Sequence, residues 1–208
     1  MSIVFYSAVM SSATPVARAL AELEIPHEEV RLNLQALDQK QPAFLALNPN
    51  GKVPTLVVDG TPMFEALAIM QWLGDRFGMQ KGLWPAADSP ERITAMAWST
   101  WAYVTYGTQV VLLQRMTSER LSPEYHNQPQ AEFARRELQH LLGLLDARLS
   151  QHRFMLSENY SLLDLIVAGV IAYSQYFGTS LDAVPNVKAW LERCTARPAF
   201  QAGMPSAA

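Results

Sequence analysis

The sequence predicts an α/β domain with the element order βαβαββα and a mixed sheet, followed by an all-α C-terminal helical bundle domain. Three observations predict it. Short apolar runs alternate with helically spaced stretches over residues 1–77; residues 78–90, rich in Gly, Pro, Ala and Asp, keep no period; and beyond Glu91 every apolar pattern has helical spacing. The expected division is therefore 1–77, a linker at 78–90, and 91–208. At 208 residues the chain is long enough to bury two unequal cores.

Taken in order, Ile3 to Tyr6 is a short apolar run, read as a buried strand. After the loop Ser7 to Ser12, Ala13 to Leu23 carries Val16, Ala17, Leu20 and Leu23 at helical spacing, with Pro15 tolerated in the first turn. His27 to Leu32 gives a second strand, parallel to the first by the right-handed crossover rule. Asn33 to Gln41 is a polar loop and Pro42 to Leu47 a short helix or turn. Val53 to Val58 and Pro62 to Phe64 form a hairpin about the Asp59-Gly60 turn, and Glu65 to Phe77 is a helix.

In the second half, Glu91 to about Glu119 reads as one long helix with Ile93, Met96, Ala97, Trp101 and Val104 on one face. A further helix runs from about Gln130 to Leu149, with Phe133, Leu138, Leu141, Leu142 and Leu145 inward. Ser161-Leu162-Leu163-Asp164 spells a capping box with aspartate at its third position, flanked by Tyr160 and Leu165 at the staple positions. The helix it opens is apolar nearly all round to Tyr173, as befits the buried centre of the bundle. Pro185-Asn186-Val187 opens the last helix, through Trp190 and Leu191.

Composition excludes several classes of function. A net charge of -3 gives no basic surface for nucleic acid. The single cysteine, Cys194, allows no internal disulfide and reads as an inert buried thiol. No CxxC or Cys/His cluster is present, and His27, His126, His140 and His152 have no ligand spacing, so no metal is expected. The N-terminus lacks a basic leader and no run reaches about 18 apolar residues, so the expectation is a cytoplasmic protein with no membrane partner.

The stretch Asn48 to Gly60 carries the most information. Pro54 gives a sheet ladder no donor, so it starts a strand or lies on an edge. The trans preference of an X-Pro bond is only about 0.5 to 1 kcal/mol, which makes a cis Val53-Pro54 peptide affordable here. Val53's free main-chain groups can then pair with an extended ligand as an added strand. Behind it, the helix starting near Glu65 offers its N-terminus to a carboxylate.

Lys52-Val53-Pro54-Thr55-Leu56, with Glu65-Ala66 and Ile69 behind it, resembles the glutathione-binding half of the glutathione transferase family, in its bacterial type with serine in the activating loop. The family's usual serine after Glu65 is here Ala66. The capping box at Ser161 and the closing Arg197-Pro198-Ala199-Phe200 resemble the family's C-terminal domain, so the likeness spans the chain. It implies a thioredoxin-like N-terminal domain, a homodimer, and glutathione as co-substrate with no other cofactor. It also implies conjugation of glutathione to a small apolar electrophile. A fold kept for binding or regulation without transferase activity is the alternative, motivated by Ala66.

Such a reaction needs a thiolate from a thiol whose free pKa is about 8.5. A hydroxyl donor and a helix N-terminus lower that value, and the loop before the first helix supplies Ser11 and Ser12. By resemblance the activating residue falls at Ser11 or Ser12, with capping of the helix the alternative role for either one and Tyr6 the less favoured choice. The missing cysteine there argues against the glutathionyl-exchanging oxidoreductase branches. Resemblance further assigns Val53 and Pro54 to the cysteinyl unit, Glu65 and Ala66 to the γ-glutamyl end, and Lys52 with Gln39 to the glycyl carboxylate. Met10, Trp101, Tyr103 and Tyr106 are the candidate wall for the electrophile.

Overall fold

The computed structural model describes residues 1–119 and 121–204. They form two compact units, one of Met1–Trp84 together with the chain from Arg197 onward, the other Pro85–Ala196.

In the first unit the elements are β1 (Ile3–Ser7), α1 (Thr14–Glu22), β2 (Glu28–Arg31), α2 (Pro42–Leu45), β3 (Thr55–Val58), β4 (Thr61–Phe64) and α3 (Ala66–Leu73). The sheet order is β2-β1-β3-β4, with β1 and β2 parallel and β3 antiparallel to both its neighbours. Alternation along β1 buries Ile3, Phe5 and Ser7. Phe5 lies opposite Leu56, and both are fully buried, as are Val16, Ala19 and Leu20 of α1 and Ile69, Met70 and Leu73 of α3. Each of the larger of these side chains contributes roughly 1.5–3 kcal/mol of transfer free energy. Asp59 and Gly60 both have positive φ, 47° and 82°, as a two-residue hairpin turn requires.

α3 ends as an α-helix at Leu73 and widens into a π turn over Gly74–Gly78. Trp84 lies against that turn. A Cβ at Gly74 or Gly78 would stand 2.8 Å from its side chain, and its Nε1–H donates to Asp75 Oδ1 at 2.7 Å. The expected regular helix to Phe77 is thus reshaped where an indole needs room.

The second unit holds α4 (Pro90–Thr100), a π-helical segment Trp101–Tyr106, α5 (Gly107–Thr117), α6 (Gln128–Leu149), α7 (Leu162–Gln175) and α8 (Pro185–Thr195). The first three are continuous, in place of the single regular helix expected. Its inward face is Ala95, Ser99, Ala102 and Tyr106, not the expected Ile93, Met96, Ala97 and Val104, all of which are exposed. Small side chains at 95, 99 and 102 let α4 lie close to α7, and close backbone packing outweighs the larger apolar area on the other side. On α6, Leu138, Leu141, Leu142 and Leu145 are buried as expected, while Phe133 is exposed.

α7 is buried along most of its length and is anchored at its start by Asp164. That carboxylate accepts from Ser161 N–H and Ser161 Oγ at 2.9 Å through Oδ2, and from Met155 N–H at 2.7 Å and Trp190 Nε1–H at 2.8 Å through Oδ1. Arg148 donates through Nε to the Met155 carbonyl at 2.9 Å, so the loop before α7 is pinned from both sides. Asp146 on α6 serves α8 in a similar way, accepting from the amides of Asn186 and Val187 at 2.8 and 3.0 Å. Val184, which precedes α8, has no side-chain oxygen to do so. Cys194 is buried on α8. Among the described residues no helix is long and apolar enough to cross a membrane.

Candidate functional site

The turn before β3 is organised by one buried side chain. Asn48, 2% exposed, donates through Nδ2 to the Lys52 carbonyl at 2.8 Å and to Thr55 Oγ1 at 3.0 Å, while its Oδ1 accepts from the Asn50 amide and side chain, both at 3.1 Å. Gly51, at φ +58°, fills a place where a Cβ would lie 2.7 Å from Lys40 Nζ and 2.9 Å from the Gln39 carbonyl. The sequence marked this stretch as a turn but gave Asn48 and Lys40 no role. Its only sign of Asn48 was an Asn beginning an Asn-Pro-Asn-Gly turn.

Val53-Pro54 is cis. Both residues are buried, and Val53 N–H has no acceptor among the described residues. The Val53 carbonyl accepts from Ser12 Oγ at 2.6 Å across forty-one positions of sequence. That contact brings the loop before α1 onto the main chain before β3, two segments the sequence alone left unjoined. Ser12 is an exposed residue.

Ser11 is occupied differently. Its Oγ donates to the Ala8 carbonyl at 2.7 Å and accepts the Ala13 amide at 3.1 Å, which closes the turn into α1. Thr14 N–H then goes to the Ser11 carbonyl and Val16 N–H to the Ala13 carbonyl, each at 3.0 Å, and Pro15 has no N–H to offer. The start of α1 therefore presents its dipole toward the loop but none of these amides. Tyr6 packs edge-on against Phe44, with ring centroids 5.6 Å apart. Ser7, buried at the end of β1, donates its hydroxyl to Glu29 Oε1 at 2.7 Å. Burial works to raise the Glu29 pKa, but hydrogen bonds from Arg31 and Ser7, with the charges of Arg31 and His27, hold it below the usual value.

Glu65 stands at φ 72°, ψ 112°, a backbone conformation that L residues rarely adopt, and its side chain is exposed. It makes no side-chain cap to α3, whose first-turn amides begin with buried Ala66. An outlier of this kind, held at the start of a helix, is typical of places where a ligand is gripped. Lys52 is exposed, and Gln39 donates weakly to the Leu34 carbonyl at 3.4 Å.

Of the residues expected to meet the electrophile, Met10 is 64% exposed at φ 50°, at the tip of the Ser11–Ser12 loop. On the second unit, Trp101 and Tyr103 are half-buried, and Trp101 packs against Trp98 with centroids 4.9 Å apart. Tyr106 is withdrawn from the candidate wall. It is fully buried, its hydroxyl is 2.8 Å from Ser174 Oγ, and burial pushes its pKa up to about 12 against that bond. No group of three His, Cys, Asp or Glu side chains suited to a metal occurs among the described residues.

Comparison with known proteins agrees over both units. The family described as glutathione S-transferase, N-terminal domain, matches residues 10–76, and that described as glutathione S-transferase, C-terminal domain, matches residues 98–198. Glutathione S-transferase GstB of Escherichia coli is 31% identical over 191 residues, 89% of each chain. Glutathione S-transferase F13 of Arabidopsis thaliana is 30% identical, over 96% of this chain and 94% of that one. Among solved structures, a glutathione transferase family member from Pseudomonas fluorescens with two glutathione bound superposes with a TM-score of 0.82. It is 26% identical and spans 97% of this chain and 92% of that one.

Proposed function

The chain belongs to the glutathione S-transferase family, and we propose that it activates glutathione through the Ser12 hydroxyl and transfers it to a small apolar electrophile. The observation that carries this reading is the Ser12 Oγ to Val53 carbonyl contact of 2.6 Å. A peptide paired with Val53 as an added strand sets its cysteinyl sulfur next to that hydroxyl. Ser12 turns its O–H from the carbonyl to the sulfur and donates to the thiolate, with the dipole of α1 adding to the stabilisation. The thiol proton leaves to solvent. The sulfur lone pair then forms the new C–S bond, and the displaced electrons pass to the leaving group or conjugated acceptor of the electrophile. Ser11 keeps its place in the turn.

At the γ-glutamyl end, Glu65 meets the ammonium and the first-turn amides of α3, Ala66 among them, meet the carboxylate. Ala66 lacks a hydroxyl, which weakens binding there by about 0.5–1.5 kcal/mol relative to serine. Lys52 and Gln39 receive the glycyl carboxylate, and Lys40, beside Gly51, joins them. Met10, exposed in the same loop as Ser12, provides apolar surface for the electrophile. GstB and F13 are both named transferases, which supports the enzyme over a fold kept without activity. Calorimetry with glutathione, beside conjugation assays on a panel of electrophiles, tests this. Binding at or below millimolar ligand together with turnover is expected, and no heat at millimolar glutathione contradicts it.

The assembly is a cytoplasmic homodimer. Ile93 is 74% exposed, and Met96 and Val104 lie on the same open face of α4 and its continuation, an apolar stripe that a second copy would cover. Sedimentation at micromolar concentration is expected to give a dimer, and Ile93→Asp with Met96→Asp to shift it toward monomer. A wild-type monomer contradicts the proposal.

A further inference from the structure

The chain returns to its first unit after α8. Arg197 forms a two-pronged ion pair with Glu22 at the end of α1, through Nε to Oε2 at 3.0 Å and through Nη2 to Oε1, and the Glu22 side chain is only 6% exposed. One turn on, the Arg18 guanidinium lies 3.8 Å above the centroid of the Phe200 ring, itself 6% exposed. Further along, Gly203 at φ +75° touches the other end of the helix. A Cβ there would stand 3.1 Å from Ala17 Cβ and 3.2 Å from Thr14 Cα. Gly203 and Met204 share a small cavity with Ser7, Val9, Ala13 and Thr14. Residues 197–204 thus form a strap running along α1 from its last turn to its first.

The first turn of α1 is where the Ser11–Ser12 loop is fixed. Thr14 N–H holds the Ser11 carbonyl, and Ser12 reaches the Val53 carbonyl from the residue between Ser11 and Ala13. Any slide or tilt of α1 relative to the sheet is transmitted to Ser12 within two residues. The groups that would bind glutathione elsewhere, Val53, Glu65 and Ala66, belong to the entry of β3 and the start of α3, and none of the strap contacts described falls on them.

We propose that the 197–204 strap is a positioning device for the activating serine: it fixes α1 so that Ser12 is aimed at the sulfur, and it acts on thiolate formation rather than on glutathione affinity. The proposal rests on the transferase reading above. Gly203 is the most sensitive point, because any side chain there meets both a positive φ and the backbone of Thr14. Arg197 is the second, because its loss removes both prongs of the pair that ties the strap to the last turn of α1.

The test compares Gly203→Ala, Arg197→Ala and Arg197→Lys in the full chain. Three measurements are made: hydrogen exchange of the amides over residues 11–16 and 55–58, the thiol pKa of bound glutathione, and kcat and KM. Faster exchange at 11–16 with no change at 55–58 is expected for Gly203→Ala and Arg197→Ala. The bound-thiol pKa should rise by about half a unit toward the free value of about 8.5. kcat near pH 7 should fall by about two- to threefold, the change in thiolate fraction such a shift produces, with KM for glutathione unchanged. Arg197→Lys, which keeps the charge but not the two-pronged geometry, should recover part of the loss. Unchanged exchange at 11–16 in both variants overturns the strap, whether or not the protein conjugates. Faster exchange with an unmoved thiol pKa overturns its positioning role. A wild-type protein that leaves the glutathione thiol at its free pKa overturns the transferase reading, and the role with it. Should Gly203→Ala fail to fold, the Arg197 pair decides.

Discussion

Ser12→Ala is expected to lower the conjugation rate at pH 7 by between about 2- and 30-fold and to have little effect above about pH 9, where glutathione ionises unaided. The limits follow from the thiol itself. With a free pKa of about 8.5, only about 3% is thiolate at pH 7, so ionisation alone supplies at most about 30-fold. A thiolate of higher pKa is intrinsically more nucleophilic, with a Brønsted slope near 0.4–0.5, which returns part of the loss and sets the lower limit. The sign is fixed by the same argument. The hydroxyl favours the charged form, its removal raises the thiol pKa, and the deficit is largest on the acid side of that pKa and closes above it. Ser11→Ala behaves otherwise. It removes the acceptor for Ala13 N–H and the donor to the Ala8 carbonyl, so it costs about 1 kcal/mol of stability and leaves the rate close to wild type. A pH–rate profile and a thermal melt for each variant separate the two.

Asp164→Ala is expected to destabilise the protein by about 3–5 kcal/mol, against a typical total of about 5–15 kcal/mol. For a chain of this size that is a fall in Tm of about 10 °C or more, or failure to fold at 37 °C. The size comes from what is left behind. Met155 N–H, Trp190 Nε1–H and the amide and hydroxyl of Ser161 all end on this one fully buried carboxylate, and an alanine satisfies none of them. Asp164→Asn keeps one acceptor oxygen for Met155 and Trp190 but turns a donor toward Ser161 N–H, so an intermediate loss is expected.

The same variant checks a pH effect. Burial pushes the Asp164 carboxyl above its usual value, outweighing the hydrogen bonds from Trp190, Met155 and Ser161 that pull it down. The folded protein therefore holds this proton more tightly than the unfolded chain. The group's contribution works against stability as pH rises from the ordinary carboxylate range through its raised value. Replacing it with Asn removes that component from the pH dependence of the melting temperature.

Local signals carried much of this architecture. Proline chemistry at Val53-Pro54, the Asp59-Gly60 turn and the Ser161–Asp164 box each act over a few residues, and each is readable from side-chain type and spacing. The long-range contacts were not legible. Ser12 and Val53 are brought together by the packing of α1 against the sheet, and nothing in either segment announces the other. The inward face of α4 does not follow apolar size: Ile93, Met96 and Val104 are exposed, whereas close approach to α7 selects Ala95, Ser99 and Ala102. The spacing of Tyr106 suits a binding wall and a core equally, and nothing near it in sequence reveals that Ser174 meets its hydroxyl in the core. The return of residues 197–204 to the first unit had no sequence signal either, since an Arg that will pair with Glu22 looks like any surface Arg.

The most direct test of the account is the pKa of the glutathione thiol in the binary complex, followed by ultraviolet thiolate absorbance across pH for wild type, Ser11→Ala and Ser12→Ala. The account predicts a value at least about one unit below the free 8.5 in wild type and Ser11→Ala, returning to about 8.5 in Ser12→Ala. A wild-type value at 8.5, or a Ser12→Ala value as low as that of wild type, contradicts it.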